Sequence, residues 1–435
     1  MIVYSPSITP RLQYISDLIG RELTGHPFQL TGEIEEYKNA RGAKMNYSDR
    51  MVEEDELHLF PHSLLFEKDI QPQTTDCFET NGYKAFFKTG GGYPFDIFAA
   101  SFYLLSRYEE YLPHSKDIYG RFAHEDSQAF KENFLNIPLI NIWFQHFKEK
   151  LIQKFPSFNI QHSTFSFLPT YDIDEAYSYK HKGWWRRTGA TIKDFLTEGL
   201  ERVRLRKKVR KNKVDDPFDS YDWMDDLHKT YNLDPRYFFL VPGKTGRYDR
   251  NILPTEPALQ SLIKRHSDKY KVGVHPSWQS GDEPSLLKKE IETIEKITKT
   301  KISSSRQHFI RFNLPETFRQ LISAGIREDF SMGYGSINGF RASIASPFYW
   351  YDLEKDEQTS LLLYPFCYMD ANSFYEEKQT AMQALEEMGR YYHEVKKVNG
   401  TFITIWHNTF LGTDEKFKGW REVYAQFIRE VCRSN

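Results

Sequence analysis

Residues 163–174, STFSFLPTYDID, join a short apolar run to two aspartates, and this kind of stretch recurs along the chain. Six further runs follow it, and amphipathic segments typical of helices separate several of them. They are RYFFLV (236–241), YKVGVH (270–275), SRQHFI (305–310), GIREDFS (325–331), SLLLYPF (360–366) and TFITIWH (401–407). Strands that alternate with helices pair in parallel through right-handed crossovers. The pattern therefore predicts an α/β fold, a distorted seven-stranded parallel βα barrel over residues 161–435.

Residues 1–160 are predicted to form a smaller α/β domain that precedes the barrel. Two helical patterns, over 95–105 and 143–152, place aromatic residues on one face each. A polar, loop-like segment, 114–130, separates them. Because no catalytic constellation is evident in this region, the domain is interpreted as accessory.

The composition argues against several classes of protein. The net charge of the 435 residues is −2, whereas nucleic-acid binding needs an excess of basic residues. No apolar run reaches the ~18–20 residues of a membrane span, and the N-terminus lacks the features of a signal peptide. The three cysteines are far apart and show no C-x-x-C spacing. Reduced thiols and a cytoplasmic location are therefore expected.

A basic insertion, LERVRLRKKVRKNKV (200–214), lies between the first two strands. It carries eight Lys or Arg residues within 202–213. A solvated helix face or an exposed loop outside the barrel explains such a run. The alternative is peripheral contact with anionic lipid or with a phosphate-bearing substrate.

Polar side chains gather at the carboxyl ends of the predicted strands, the edge of a parallel barrel where active sites lie. They are Asp172, Asp174, His275, Arg306, His308, Asp329 and His407. A lone aspartate is often a helix cap, and a lone histidine is often a partly buried polar group. Polar side chains at the carboxyl ends of five or more strands, however, favour a catalytic site.

Asp172 and Asp174 are separated by one residue on an extended segment. A strand period of two places both carboxylates on the same side, facing the barrel mouth. Two such carboxylates repel each other unless a cation lies between them. A metal ligand paired with a general base meets that requirement, and a capping pair at a turn is the alternative.

Five short motifs resemble those of the polysaccharide deacetylases of carbohydrate esterase family 4, in the order of that family. They are TYDID (170–174), GVHPSW (273–278), SRQHF (305–309), DFSMGY (329–334) and ITIWH (403–407). The N-terminal region resembles the uncharacterised domain that precedes this barrel in some bacterial members. The resemblance implies a barrel that hydrolyses acetamides with the help of a divalent metal, most often zinc, with cobalt, nickel or manganese as alternatives.

By the same resemblance, Asp174 and His275 correspond to metal ligands. The family usually has a second histidine four residues after the first, but here that position is Gln279. Catalytic zinc sites commonly use three protein ligands and a water. His308 is the candidate for the third ligand, with Gln279 and water as alternatives.

The resemblance also assigns catalytic roles by position. Asp172 corresponds to the general base, and Arg306 to the residue that holds it charged and oriented. The backbone N–H of Phe309 would face the oxyanion. Asp329 would orient His407, which would protonate the leaving amine.

Together these residues predict a metal-dependent hydrolase that removes acetyl groups from N-acetylated sugars, in a polysaccharide or its precursor. Trp278 and Tyr334 are candidates to stack on the sugar ring. Two alternatives stay open, since a fold alone does not fix function. One is another amide or ester hydrolase on the same barrel, and the other is a non-catalytic carbohydrate-binding relic with a degraded metal site.

Overall fold

The computed structural model describes residues 1–161, 163–182 and 199–433. Within these ranges the chain forms two large β-sheets that share one hydrophobic core. No helix in the described ranges is long and apolar enough to cross a membrane.

The N-terminal region contains a four-stranded parallel sheet in the order β2-β1-β3-β4 and a separate hairpin, β5-β6. Its strands are β1 (Ile2–Tyr4), β2 (Gln29–Thr31), β3 (Lys44–Tyr47), β4 (Leu57–Leu59), β5 (Phe78–Thr80) and β6 (Tyr83–Ala85). Its helices are α1 (Pro10–Thr24), α2 (Ile34–Asn39), α3 (Ile97–Leu105), α4 (Gln128–Lys131) and α5 (Leu139–Lys154).

Helices α3 and α5 coincide with the two predicted helical patterns. Asp96 caps α3, because its carboxylate accepts hydrogen bonds from the backbone N–H groups of Phe98 and Ala99. Every residue of α3 is buried, whereas Ile152 of α5 is exposed, contrary to its place in the predicted apolar pattern. The division at residue 160 stays a prediction, since both regions contribute to the same core.

The second sheet holds nine described strands in the order β12-β13-β11-β10-β9-β8-β7-β15-β14. They are β7 (Ser166–Ile173), β8 (Arg236–Leu240), β9 (Lys271–His275), β10 (Ser304–Ser305), β11 (Glu328–Asp329), β12 (Phe348–Asp352), β13 (Glu357–Leu363), β14 (Tyr368–Met369) and β15 (Thr401–His407). All seven predicted runs overlap one of these strands, and the α/β class with parallel strands is confirmed.

The predicted count of seven strands is wrong. Eight strands run parallel, and β12 pairs with β13 in the antiparallel direction. The missed parallel strand, β14, has only two residues, too few to show a period of two. Among the described strands, no pairing joins β14 to β12 or β13, so the pairing does not close the sheet into a complete barrel.

Helices connect several of the parallel strands, and the amphipathic segments 257–266, 284–297, 315–322 and 378–397 each contain or overlap one of them. The described helices of this region are α6 (Gly199–Arg210), α7 (Tyr221–Tyr231), α8 (Pro257–Ser267), α9 (Trp278–Asp282), α10 (Pro284–Thr298), α11 (Glu316–Ser323), α12 (Ala381–Lys397) and α13 (Trp420–Arg433). Because the strands are parallel, their carboxyl ends meet at one edge and bring distant residues together.

Candidate functional site

The side chains of Asp174, His275 and His308 converge at the carboxyl ends of β7, β9 and β10. Asp174 follows β7 directly, His275 is the last residue of β9, and His308 begins the turn after β10. One donor atom from each residue lies within 4.8 Å of the others. The grouping expected from the sequence is therefore observed, including the unconventional third member.

Hydrogen bonds behind the two imidazoles fix which ring nitrogen faces Asp174. Nδ1–H of His275 donates to the carbonyl oxygen of Arg306 at 2.6 Å, because a carbonyl can only accept. Nδ1–H of His308 donates to Oδ1 of Asp249 at 3.3 Å. The Nε2 atoms then face Asp174, 3.1 Å from Oδ1 for His275 and 3.3 Å from Oδ2 for His308. This is the arrangement that orients histidines toward a metal.

The charges around Asp174 fit a divalent cation. Its Oδ1 is buried and has no hydrogen-bond partner among the described residues. Burial raises the pKa of Asp174, but His308 and His275 outweigh it and hold the pKa well below its ordinary value. Burial lowers the pKa of His308, whereas Asp174 and Asp249 raise it, to about 9 overall. The pocket thus favours positive charge between these groups, and one carboxylate with two imidazoles suits zinc and related ions.

Gln279, the alternative third ligand, lies behind the site. Its side-chain nitrogen donates to Oδ2 of Asp249 at 2.9 Å and to the carbonyl oxygen of Lys244 at 3.2 Å. Gln279 therefore orients Asp249, which in turn orients His308. Asp249 is absent from the predicted site, because it lies in a loop well beyond β8 where no sequence pattern marks it.

Asp172 lies beside this group and is held by Arg306, as the sequence predicts. Both side chains are buried, and Nη1 of Arg306 donates to Oδ1 of Asp172 at 2.9 Å and to Oγ1 of Thr170 at 2.7 Å. Oδ2 of Asp172 is 3.8 Å from Nε2 of His275. Asp172 thus stands farther from this imidazole than Asp174 does.

Asp370, rather than Asp329, holds His407. Nδ1–H of His407 donates to Oδ1 of Asp370 at 2.6 Å, and its backbone N–H donates to Oδ2 at 2.7 Å. Nε2 of His407 lies 3.5 Å from Oδ2 of Asp174. Burial lowers the pKa of His407, but Asp370 and Asp174 raise it to about 10, so the ring carries a proton at neutral pH.

The predicted contact between Asp329 and His407 is wrong, because Asp329 turns toward the neighbouring strand. Its carboxylate accepts hydrogen bonds from the hydroxyl groups of Ser305 and Ser331, and burial raises its pKa to about 6. Asp370 directly follows the short strand β14, whose absence from the predicted strands explains the error.

Phe309 lines the cavity in a left-handed backbone conformation with a φ of +59°. This conformation is uncommon for a bulky residue and needs support from its surroundings. Nη1 of Arg121, from the N-terminal region, donates to the carbonyl oxygen of Phe309 at 2.8 Å. A side chain at position 335 would collide with the guanidinium of Arg121. Glycine at this position therefore leaves room for Arg121 to reach Phe309.

The two predicted sugar-stacking residues do not line the cavity. Trp278 lies between the ring of Tyr248, at a centroid distance of 4.1 Å, and the guanidinium of Arg311, at 4.2 Å. Tyr334 is only 1% exposed and packs against Arg341. Tyr248 occupies the cavity wall in place of Trp278. Sequence adjacency to a motif did not reveal which of these rings faces the cavity.

A cavity of about 920 Å³ opens above Asp174, His275, His308 and His407. Its volume is near the upper end of the ~300–1,000 Å³ typical of small-molecule sites. Two residues of the predicted accessory region, Tyr119 and Arg121, form part of its wall. The N-terminal region therefore contributes to the cavity wall.

The basic insertion also reaches this cavity. Helix α6 spans most of it, and Arg202 and Arg206 line the cavity while the other six basic side chains of 202–213 are exposed. Arg206 is 7% exposed and lies 5.0 Å from the ring centre of Tyr179. The prediction of an exposed segment therefore holds for the outer face of α6 and is wrong for its inner face.

Polysaccharide deacetylases are among the solved structures that this chain resembles. A protein described as a polysaccharide deacetylase from Mycobacterium smegmatis is 14% identical, with a TM-score of 0.39 over 62% of this chain and 85% of the other. One from Pseudomonas aeruginosa PAO1 is 10% identical, with a TM-score of 0.41 over 63% and 86% of the two chains. Puue allantoinase is 12% identical, with a TM-score of 0.38 over 62% and 84%.

Residues 1–156 match the model of a family of unknown function, DUF7033. No curated protein matches the chain. Because the identities and TM-scores to solved structures are low, the roles of individual residues rest on the geometry of the site.

Proposed function

We propose that this protein is a metal-dependent hydrolase that removes the acetyl group from an N-acetylated sugar. One observation carries the proposal: a carboxylate held by an arginine, Asp172, and an imidazole held by a carboxylate, His407, both lie close to Asp174. Strands β7 and β15 pair in register, with Asp172 opposite His407, so both groups stand at the same level. A base and an acid lie at the same level of the sheet, beside three side chains that can bind a metal. This arrangement suits the hydrolysis of an amide.

In this proposal Asp174, His275 and His308 hold the metal. A divalent metal bound there would lower the pKa of a water molecule and polarise the acetyl carbonyl. Asp172 accepts the proton of the attacking water, while Arg306 stabilises the negative charge of Asp172 and fixes its orientation. The backbone N–H of Phe309 donates to the developing oxyanion.

His407 completes the reaction as the acid. The raised pKa of His407 keeps the ring protonated at neutral pH. Because Asp370 accepts the hydrogen bond from Nδ1, the other ring nitrogen, Nε2, faces the site. Nε2–H protonates the amine nitrogen as the C–N bond breaks, which yields acetate and a free amino sugar. Asp370 stabilises the imidazolium before the proton leaves.

The alternative of a non-catalytic relic rested on Gln279 in place of the family's second histidine. His308 offers a third donor atom within reach of Asp174 and His275, which supports an enzyme. Hydrolysis of a different amide or ester at the same site stays an alternative, and a substrate panel separates it from the deacetylation of sugars.

The proposal predicts that the metal-loaded protein releases acetate from N-acetylated oligosaccharides and that a chelator abolishes this release. His308→Ala removes one donor and is expected to lower both the bound metal and the rate. Gln279→Ala removes only a support of Asp249 and is expected to lower metal affinity by at most about 10–100-fold. Metal content by elemental analysis and acetate by enzymatic assay are the measurements. The opposite ranking of the two variants would contradict the ligand assignment.

Asp370→Asn is expected to lower kcat by about 10–100-fold with metal content unchanged, because the amide no longer stabilises a protonated His407. Asp329→Asn is the matched control, since this buried carboxylate contacts serines and makes no described contact with His407. Steady-state kinetics on the same oligosaccharide provide the measurement. A larger loss in Asp329→Asn than in Asp370→Asn would return the orienting role to Asp329.

A further inference from the structure

The wall of the cavity is strongly basic, although the whole chain has a net charge of −2. Its lining includes seven permanent cations: Arg121, Lys182, Arg202, Arg206, Arg247, Arg250 and Lys416. Five carboxylates accompany them: Asp172, Asp174, Glu175, Glu376 and Asp414. Two of these carboxylates belong to the catalytic centre. Asp117 pairs with Arg121 at 2.6 Å, but the other six cations still outnumber the three remaining carboxylates of the wall.

Three of these cations lie on separate segments of the chain. Arg202 lies on α6, Arg250 follows β8, and Lys416 precedes α13. Burial lowers the pKa of Lys416, Asp414 raises it, and the neighbouring Arg202 and Arg250 lower it further. Like charges gathered in this way repel each other, which favours binding of an anion between them.

Two of these cations lie close to carboxylates of the same wall. Glu175 is 3.0 Å from the ammonium group of Lys182, and Asp414 is 3.6 Å from the guanidinium of Arg202. Arg250 and Lys416 have exposed side chains at the rim of the same cavity.

The basic residues on the two faces of helix α6 have different surroundings. Arg202 and Arg206 are four residues apart and so share the face that turns toward the cavity. Lys207 and Lys208 are exposed and are not part of the cavity wall. A basic run that served only to keep the helix solvated would not bury Arg206 against Tyr179.

We propose that the N-acetylated sugar carries a phosphoryl or diphosphoryl group, which Arg202, Arg250 and Lys416 bind while the acetamide reaches Asp172 and His407. This inference rests on the proposed deacetylase function and narrows its substrate class. Arginine forks match phosphate oxygens, and a phosphate carries more charge than a sugar carboxylate. The group attaches the sugar to a nucleotide or to a lipid carrier.

The first experiment compares kcat/KM for N-acetylglucosamine 1-phosphate, UDP-N-acetylglucosamine and methyl N-acetylglucosaminide with the metal-loaded protein. A preference for the phosphorylated sugars of about tenfold or more is expected from hydrogen bonds to a charged group. The variant Arg250→Gln/Lys416→Gln is expected to reduce this preference about 10–100-fold. The control Lys207→Gln/Lys208→Gln removes the same charge from the outer face of α6 and is expected to keep the preference.

The second experiment measures UDP binding by calorimetry, which does not depend on turnover. UDP is expected to bind the wild-type and control proteins equally, and the rim variant about 10–100-fold more weakly. Equal binding by all three would overturn the inference, as would competition by glucuronate as strong as that by UDP. A comparison of UDP-linked with polyprenyl-diphosphate-linked substrate in vesicles distinguishes the two carriers.

The two proposals fail in different ways. If no N-acetylated sugar is hydrolysed, the proposed deacetylase function is overturned, whatever the UDP measurements give. If methyl N-acetylglucosaminide is hydrolysed as well as the phosphorylated sugars, the anion inference alone is overturned.

Discussion

Replacement of Asp172 by asparagine is expected to lower kcat by about 10²–10⁴-fold, the range found when a general base is lost. The asparagine side chain keeps the shape of aspartate, and its amide oxygen can still accept the hydrogen bond that Arg306 donates at 2.9 Å in the wild-type protein. What it cannot do is accept a proton from water. The expected loss is therefore in the chemical step, with little change in the metal content.

Three measurements make this test specific. Kinetics give kcat, elemental analysis gives bound metal, and thermal unfolding shows whether the buried Arg306 tolerates a neutral partner. His308→Ala serves as the comparison, because there the loss of activity is expected to follow the loss of metal. Full activity in Asp172→Asn would show that another group takes the proton, and loss of its metal would make Asp172 a ligand.

Glu110→Gln is expected to lower the free energy of unfolding by about 3–5 kcal/mol, because it removes the counter-ion of the buried Arg341 and one of the two carboxylate partners of the buried Arg107. The carboxylate of Glu110 accepts two hydrogen bonds from Arg341, at 2.8 and 2.6 Å, and one from Arg107 at 2.7 Å. Their side chains are at most 3% exposed. Urea unfolding at neutral pH is the measurement. Glu35→Gln, which removes an exposed partner of Lys38, is expected to cost less than about 1 kcal/mol.

The same carboxylate predicts a dependence of stability on pH. Burial raises the pKa of Glu110, but Arg341 and Arg107 outweigh it and lower the pKa from 4.5 to about 2. A depressed pKa in the folded state stabilises the fold above the unfolded-state pKa, and this contribution is lost as the pH falls through the folded-state value. The difference between wild type and Glu110→Gln should be constant above about pH 5 and shrink between about pH 4.5 and 2. If the difference in the free energy of unfolding between the two proteins does not shrink in acid, the stabilisation comes from the shape of the Glu110 side chain rather than from its charge.

The parallel strands and the residues at their ends could be predicted from the sequence because both depend on local patterns. Apolar runs identify strands, and parallel strands must deliver their carboxyl ends to one edge. That reasoning placed Asp172, Asp174, His275 and His308 at one edge, where the structure has them, and the resemblance to the deacetylases made His308 the candidate for the third ligand. It needed no knowledge of loop paths.

The partners of the histidines could not be predicted in the same way. Asp249 reaches His308 from a loop, and Asp370 reaches His407 from the end of a two-residue strand. The sequence around Asp249 and Asp370 shows no strand or helix periodicity that would mark either residue. The orientation of an aromatic ring also depends on distant residues, since Tyr334 contacts Arg107 of the N-terminal region as well as the nearby Arg341. Helix α6 shows the same limit, because its composition does not reveal which arginines face inward.

The loop that carries Tyr119 and Arg121 lies between Lys116 and Phe122, which form an isolated antiparallel bridge. It contributes to the cavity wall from outside the sheet that holds the proposed acid and base. Part of the cavity wall and the proposed acid and base therefore lie on separate stretches of sequence. Substitutions at Tyr119 can reshape this part of the wall without removing a reacting group, whereas Arg121 also holds the carbonyl oxygen of Phe309. The region without catalytic residues of its own is thus the natural one to diversify when a different substrate is wanted.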